Sequence, residues 1–503
     1  MKPSICYLAL GAALALTACS DDETKPSIVE DPSTFAEIGQ IDLGDEAASE
    51  ISAYDPQTKQ LFVVNNSAGS SIDVVDLEDP ALPVKVTSIN ILEFGAGVNS
   101  VAVKDGLLAA AVEATVKTDN GKIVLFKTSD LTKVAEVTAG ALPDMVTFSP
   151  DGRFILSANE GEPSDDYSVD PVGSVSIISV KENYAVTTVD FSGFASSEST
   201  LKAAGLRVYG LNATFAKDME PEYIAVSDDS KTAWVTLQEN NGIAKIDLTA
   251  KSITNIYPLG FKDHNTDANA LDPSDRDNVI SLAKFQLKGM YQPDAIASFK
   301  ANGVTYLISA NEGDAREYDG FEEETRVKDL DLDAAIFPNS AGLKADAQLG
   351  RLTVTTALGD ANGDGVYEAL YSFGARSFSI WNGTTGAQVF DSGKKLETDL
   401  IAFDPTAYDD TRSDNKGVEP EGVTIGFLNN KTVAFVALER ADAVLIYDIT
   451  NPASPSLLQG LKTGDAPEGI LFIPASDSPV GKSLLLVSSE DDGLVKIYQP
   501  ETL

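Results

Sequence analysis

One unit recurs along this chain, and a recurring unit narrows the choice of fold more than composition does. It is written out in SEISAYDPQTKQLFVVNN (49–66), NSVAVKDGLLAAAVE (99–113), PDMVTFSPDGRFILSANE (143–160), PEYIAVSDDSKTAWVTLQE (221–239), PDAIASFKANGVTYLISANE (293–312), PEGVTIGFLNNKTVAFVALE (420–439) and PEGILFIPASDSPVGKSLLLVSSE (467–490). Each segment is a short β-branched run, a polar turn, a second apolar run and a polar or acidic end, which is the grammar of a hairpin. A third run follows most of them (SIDVVDL, KIVLFK, SVSIISV, IAKIDL, AVLIYDI, LVKIYQP), and a fourth follows some, as in AEVTAG and ITNIYPLG. Four short strands in units of about 45 residues predict an all-β chain folded as a single β-propeller of four-stranded blades.

The blade count is seven or eight. Residues 351–392 read as a further unit, with RLTVTTALG, EALYSFG, SFSIWN and AQVFDSG as strands; if the first of these completes the preceding blade, seven remain. The last unit lacks a fourth strand after Ile497, and AEIGQIDL (36–43) fits that vacancy. An N-terminal strand there would close the ring and remove its sheet edges. In a propeller the first strand of each blade lines the channel. The loops from second to third strand and from fourth strand to the next blade share one face. The long irregular segments 160–172, 193–220, 261–292, 313–350 and 393–419 all fall in those two classes. One face should therefore be built up while the other carries tight turns such as Ser149-Pro150-Asp151-Gly152, and long loops on a rigid scaffold carry function.

That face is also where acids converge. Five hairpins open on Pro-Asp or Pro-Glu, giving Asp144, Glu222, Asp294, Glu421 and Glu468, with Glu50 and Asn99 in the equivalent places of the first two units. The second strands end at Glu113, Glu160, Glu239, Glu312, Glu439 and Glu490. Carboxylates crowded round one channel mouth raise one another's pKa or demand a cation. Arg316, Arg376 and Arg440 are candidate internal partners; the other reading is a cation or ligand site. Asn159-Glu160-Gly161-Glu162 and Asn311-Glu312-Gly313-Asp314 are near-copies whose oxygens suit calcium or magnesium, or else fix loops by hydrogen bonding.

Asp360-Ala361-Asn362-Gly363-Asp364-Gly365-Val366-Tyr367-Glu368 is the sharpest motif. Oxygen ligands at its first, third and fifth positions, with glycine at the sixth, form the calcium-loop pattern. Asp360, Asn362, Asp364, the Val366 carbonyl and Glu368 are the expected ligands. Tyr371 stands where an EF-hand glutamate would be, so the loop follows the nine-residue variant found between strands. In the eight-blade reading it joins a first and second strand, lies opposite the acidic mouth and is structural; a solvated acidic turn is the alternative.

Composition then excludes whole classes of chemistry. His264 is the sole histidine, and Cys6 and Cys19 are the only cysteines. A histidine-based triad would rest on His264 alone and is nearly excluded, as are His-rich zinc sites, while thiolate nucleophiles and disulfides have no residues to use in the body of the chain. His264 itself reads as a solvated loop residue, and Trp381 as strand packing before a turn. The net charge of -40 repels nucleic acid. MKPSICYLALGAALALTAC (1–19) has a lysine, an apolar core and the lipoprotein box Leu16-Thr17-Ala18-Cys19. Residues 1–18 thus read as a lipoprotein signal peptide, Cys19 as the lipidated first mature residue, 19–33 as an acidic tether and 34–503 as the propeller. Ser20 after the lipidated cysteine favours the outer membrane. The expected place is the envelope of a Gram-negative bacterium, at the outer membrane or cell surface, with the membrane touched only through the lipid.

LPDMVTFSPDGRFILSANEGEPSDDYSVDPVGSVSII, EPEYIAVSDDSKTAWVTLQENN, KGMYQPDAIASF, ANEGDAREYDGFEEETRVKDL and FGARSFSIWNGTTGAQVFDSG together resemble the choice-of-anchor I family over about residues 35–500. That family is similar to mesenchyme-specific cell-surface glycoproteins. The resemblance implies a YVTN-like propeller and a surface or secreted location reached through varied anchors. Some members carry an alkaline phosphatase label, but this chain lacks the nucleophilic serine context and histidine-rich metal site of those enzymes. Two functions follow as expectations. One is a lipid-anchored propeller that binds calcium and presents its acidic face to a cation, ligand or protein partner. The other is a calcium-dependent phosphoesterase, resembling propeller phytases, that works at the acidic mouth. Scarcity of Lys and Arg favours the first.

Overall fold

The computed structural model describes Met1, residues 29–67 and residues 69–503. The expected signal peptide beyond Met1, Cys19 and most of the expected tether lie outside the described residues. The fold is a β-propeller built on seven four-stranded antiparallel sheets. Blade 1 runs through Ser52–Asp55, Gln60–Asn65, Ser71–Asp76 and Val84–Asn90. Blades 2, 3 and 4 begin at Val98–Lys104, Pro143–Phe148 and Pro221–Val226. Blades 5, 6 and 7 begin at Ile296–Ala301, Pro420–Leu428 and Pro467–Ile473. The first strand of each blade packs beside that of the next, and blade 7 returns to blade 1.

Second strands such as Gln60–Asn65 are apolar without alternation because both of their faces are covered. Phe62 and Val64 pack toward blade 2 with Val101, Leu108 and Val124, while Leu61 and Val63 pack toward blade 7 with Leu484, Leu486 and Ile497. Outer strands such as Val84–Asn90 are mostly exposed and correspondingly polar or mixed. The ring is closed by Ala36–Asp42, which pairs antiparallel with Leu494–Gln499 from Ala36 opposite Gln499 to Asp42 opposite Leu494.

Two expectations are corrected. Residues 351–392 are not a blade. Blade 5 takes Val304–Asn311 as its second strand and Ser377–Asn382 as its third, so residues 312–376 are one long insertion between them. Inside it, Thr353–Thr355 pairs with Glu324–Arg326, and Val366–Tyr367 runs parallel to Asp331–Leu332. With the preceding connection it forms a small core of its own around Leu271, Leu287, Val327, Phe337, Leu352 and Leu370. Arg207 pairs with Glu323, and Arg316 with Asp218 and Glu220, so buried ion pairs pin this insertion to the 193–220 connection.

The other correction concerns the tether boundary. Glu30 is buried, and its carboxylate accepts hydrogen bonds from Ser483 N–H and Ser483 Oγ at 2.6 Å each. Leu503 N–H donates to the Val29 carbonyl at 2.8 Å, so the body begins by residue 29. A chain starting at residue 34 should therefore melt below one starting at residue 29. The loss of the Glu30 partners leaves buried donors unpaired, at a cost of about 1–3 kcal/mol. Glu30→Ala should reproduce most of that drop, and equal melting temperatures by calorimetry would place residues 29–33 back in the tether.

Candidate functional site

The channel mouth is assembled by a backbone device repeated around the ring. In blades 3, 4, 6 and 7 the first strand opens on a proline, which needs no ladder partner for its missing N–H. The residue before the hairpin proline adopts the left-handed region in four blades: Leu142 (φ 46), Gln292 (φ 41), Glu419 (φ 48) and Ala466 (φ 55). Such residues cost of order 1–3 kcal/mol each and persist where their surroundings over-determine them. The register then slips between Pro143 and Val146, Pro221 and Ile224, Pro420 and Val423, and Pro467 and Ile470. Each slip is a bulge, and a bulge re-aims the side chains it carries. Asp144, Glu222, Glu421 and Glu468 sit in these bulges.

The result is a cavity of about 230 Å³ lined by the acids Asp144, Glu222, Asp294, Glu312, Asp314, Glu421 and Glu468, with apolar surface from Ile51, Met145, Tyr223 and Ile470. Asp314 is exposed and the other six acids are half-buried. Among the described residues no basic side chain pairs with the five that open the hairpins. Glu222 and Glu421 each keep one buried carboxylate oxygen that accepts no hydrogen bond. Burial pushes Asp144 up to about 6. Burial, then the charge of Asp294, holds Glu222 well above the usual range, and burial followed by Glu312 does the same for Asp294 and Glu421. Glu468 is raised by burial and by Glu50, and Glu50 itself is pushed up to about 8 by burial and Glu490.

Glu160, Glu239, Glu439 and Glu490, at the ends of second strands, lie outside the cavity wall. They still act on it, since Glu239 and Glu160 raise Glu222 and Glu490 raises Glu468. The asparagines of the near-copies are strand fasteners: Asn159 Nδ2 donates to the Ser174 carbonyl and Ser176 Oγ, and Asn311 Nδ2 to Ser377 Oγ and Ser379 Oγ. Gly161 (φ 72) and Gly313 (φ 94) then turn the chain left-handed; a Cβ on Gly313 would lie 2.0 Å from Gly374 N.

Of the expected arginine partners, only Arg440 reaches these acids, at 2.7 Å from Glu439 and 3.7 Å from Glu419. Arg316 is spent on Asp218 and Glu220, and Arg376 on the carbonyls of Asp272, Ser413 and Asn415. The cation that sequence reasoning missed is Lys416, whose Nζ lies 2.5 Å from Glu312 Oε1 and 3.5 Å from Glu419 Oε2. Glu419 was missed too; its carboxylate gathers with those of Glu312 and Glu439 within 4.8 Å. Glu419 directly precedes a Pro-acid pair, so the string KGVEPEG held the available signal.

The 360–368 loop belongs to the insertion on the elaborated side, not to a tight turn opposite the mouth. Its side chains fold inward. Asp360 accepts from the N–H groups of Gly363, Asp364 and Gly365, Asp364 from Val366 N–H, and Glu368 from Ala361 N–H and Asn362 Nδ2. His264 is buried, not solvated: its Nδ1 lies 2.7 Å from the Asn269 carbonyl, and burial holds it down to about 3, a neutral ring at any physiological pH. Trp381 is buried in its strand, with Nε1 donating to Ser309 Oγ at 2.9 Å.

The sequence profile of the choice-of-anchor I domain matches residues 50–452, which covers blades 1 to 5 and the first three strands of blade 6. The chain belongs to the choice-of-anchor I family. It is 30% identical over 188 residues to Gigasin-3a of Magallana gigas, a match covering 31% of this chain and 66% of that protein. It is 25% identical over 291 residues to the mesenchyme-specific cell surface glycoprotein of Strongylocentrotus purpuratus, covering 49% of this chain and 37% of the glycoprotein. The chain thus spans about two thirds of the first relative and little more than a third of the second. Kuenenia stuttgartiensis hydrazine synthase shares the fold with a TM-score of 0.51 at 12% identity, over 92% of this chain and 97% of that one.

The raised acids have a consequence for stability. In the unfolded chain these carboxyls titrate near 4, whereas in the fold Asp144, Glu439 and Glu50 reach about 6, 7 and 8. Between those limits the folded state holds more protons, so stability falls as pH rises. In a chelating buffer the melting temperature should fall steadily from pH ~5 to ~8. Glu50→Gln with Asp144→Asn should flatten the slope, and a flat wild-type profile would contradict the assignment.

Proposed function

We propose that this family member is a surface-anchored binding propeller whose acidic channel mouth takes a positively charged ligand. The observation that carries this reading is the cavity ringed by Asp144, Glu222, Asp294, Glu421 and Glu468, which have no basic partner among the described residues. A fold gains nothing from crowding acids that must either repel one another or take up protons, and a cation relieves that cost on arrival. Surface placement is supported by family membership and by the relative named as a cell surface glycoprotein. The lipoprotein box at Cys19 supplies the anchor in this reading. Cys19→Ser should release the chain from the membrane fraction or block its processing, as followed by fractionation and intact mass.

Calcium at the 360–368 loop is the second part of the proposal. The donors are all oxygen, and Glu368 folds back over the turn to meet Asn362, which suits a hard divalent ion. Asp360, Asn362, Asp364, the Val366 carbonyl and Glu368 would hold it. At a free calcium concentration of ~100 times the dissociation constant, one site stabilises the fold by about 2.7 kcal/mol. In a protein of this size that is a rise of only a few degrees. Asp364→Ala should abolish the loop's share of the shift. A wild type whose melting ignores calcium would leave the loop an ordinary turn. The phosphoesterase alternative gains no support from the mouth, because its basic residues, Lys416 and Arg440, are already engaged by carboxylates.

A further inference from the structure

We infer that the ligand of the mouth is a linear alkylammonium, such as the end of a polyamine or a lysine side chain, bound by Asp144, Glu222, Asp294, Glu421 and Glu468 around the apolar surface of Ile51, Met145, Tyr223 and Ile470. The inference rests on the cationic-ligand reading above and names the chemical class that reading leaves open.

Three observations carry it. The cavity of about 230 Å³ far exceeds the ~10–15 Å³ that one water needs, so it has room for a chain of several heavy atoms. Its lining mixes carboxylates with aliphatic and aromatic surface. A metal ion has no use for apolar walls, whereas an alkylammonium needs both, acids for the head and apolar surface for the methylene stem. The buried oxygens of Glu222 and Glu421 accept nothing, so donors are lacking where the N–H groups of an ammonium would supply them. The molecule also holds an example of the same recognition. Lys416 lodges its own ammonium beside Glu312, which lines the cavity, and Glu419. Lys416 neutralises that side of the mouth and leaves the hairpin acids for an incoming cation.

The test is calorimetric titration of the intact chain with spermidine, with acetyl-lysine methylamide and with calcium, at ~0.15 M salt, where long-range attraction is screened within ~8 Å. The expected result is one saturable spermidine site, weakened at least tenfold by Glu222→Gln with Glu421→Gln. Glu78→Gln with Glu182→Gln removes the same charge from well-exposed positions and should leave the site intact. Tetramethylammonium, which has no N–H to donate, should bind the wild type at least tenfold more weakly than butylammonium; this comparison stands even if the mouth variant fails to fold. A tighter fit for spermidine than for the lysine derivative assigns a free polyamine, and the reverse assigns a partner's lysine. Diffuse multi-site uptake, reduced equally by both double variants, overturns the inference. So does calcium binding lost in the mouth variant with no competition from spermidine, though it leaves the cationic-ligand reading standing. Binding of neither cation at the mouth removes both.

Discussion

Closure of the ring is the constraint on which everything else depends. Each blade is a sheet with two faces to cover, and its neighbours do the covering. Phe62 and Val64 need blade 2, and Leu61 and Val63 need blade 7. No blade can satisfy both faces unless the last meets the first, which is the task of Ala36–Asp42 against Leu494–Gln499. Closure has an electrostatic price. It brings the first strands together around one axis, so acids far apart in sequence become neighbours in a narrow cavity. Glu468, in the last blade, is raised by Glu50, at the start of the first.

The repeat was legible because blade strands obey simple patterns: continuous apolar runs where two faces are covered, short polar turns between them, and a Pro-acid pair at the channel end. The missing strand could be found by counting, and the acid positions could be placed by their offset from the hairpins. The insertion was not legible for a physical reason. RLTVTTALG looks like a strand locally, but only Thr353–Thr355 pairs, and it pairs with Glu324–Arg326 outside any blade. Segments of two or three residues carry no period, and the parallel contact of Asp331–Leu332 with Val366–Tyr367 leaves no hairpin signature. Misreading that stretch was what offered the eighth blade and put the 360–368 loop on the wrong side.

Side-chain assignments failed wherever a long charged residue had several acids to choose from. Arg316 and Arg376 were plausible partners for the mouth by count alone. In the fold one is consumed by Asp218 and Glu220, the other by backbone carbonyls. Lys416 carried no motif, yet it neutralises one side of the mouth. His264 reads as solvated from its loop address, which does not reveal that its own connection folds over it through Asn269, Leu287 and Gly289.

The meeting of residues 29–30 with residues 502–503 has a consequence for how the propeller is held. Leu503 N–H bonds the Val29 carbonyl, and Glu30 bridges to Thr502, so the polypeptide enters and leaves the disc at one point. A tether fused to either end would pull on the same spot and hold the disc in the same attitude. Attachment is thereby decoupled from orientation. In a family named for its choice of anchors, this geometry would let an anchor migrate from one terminus to the other while the mouth kept its pose.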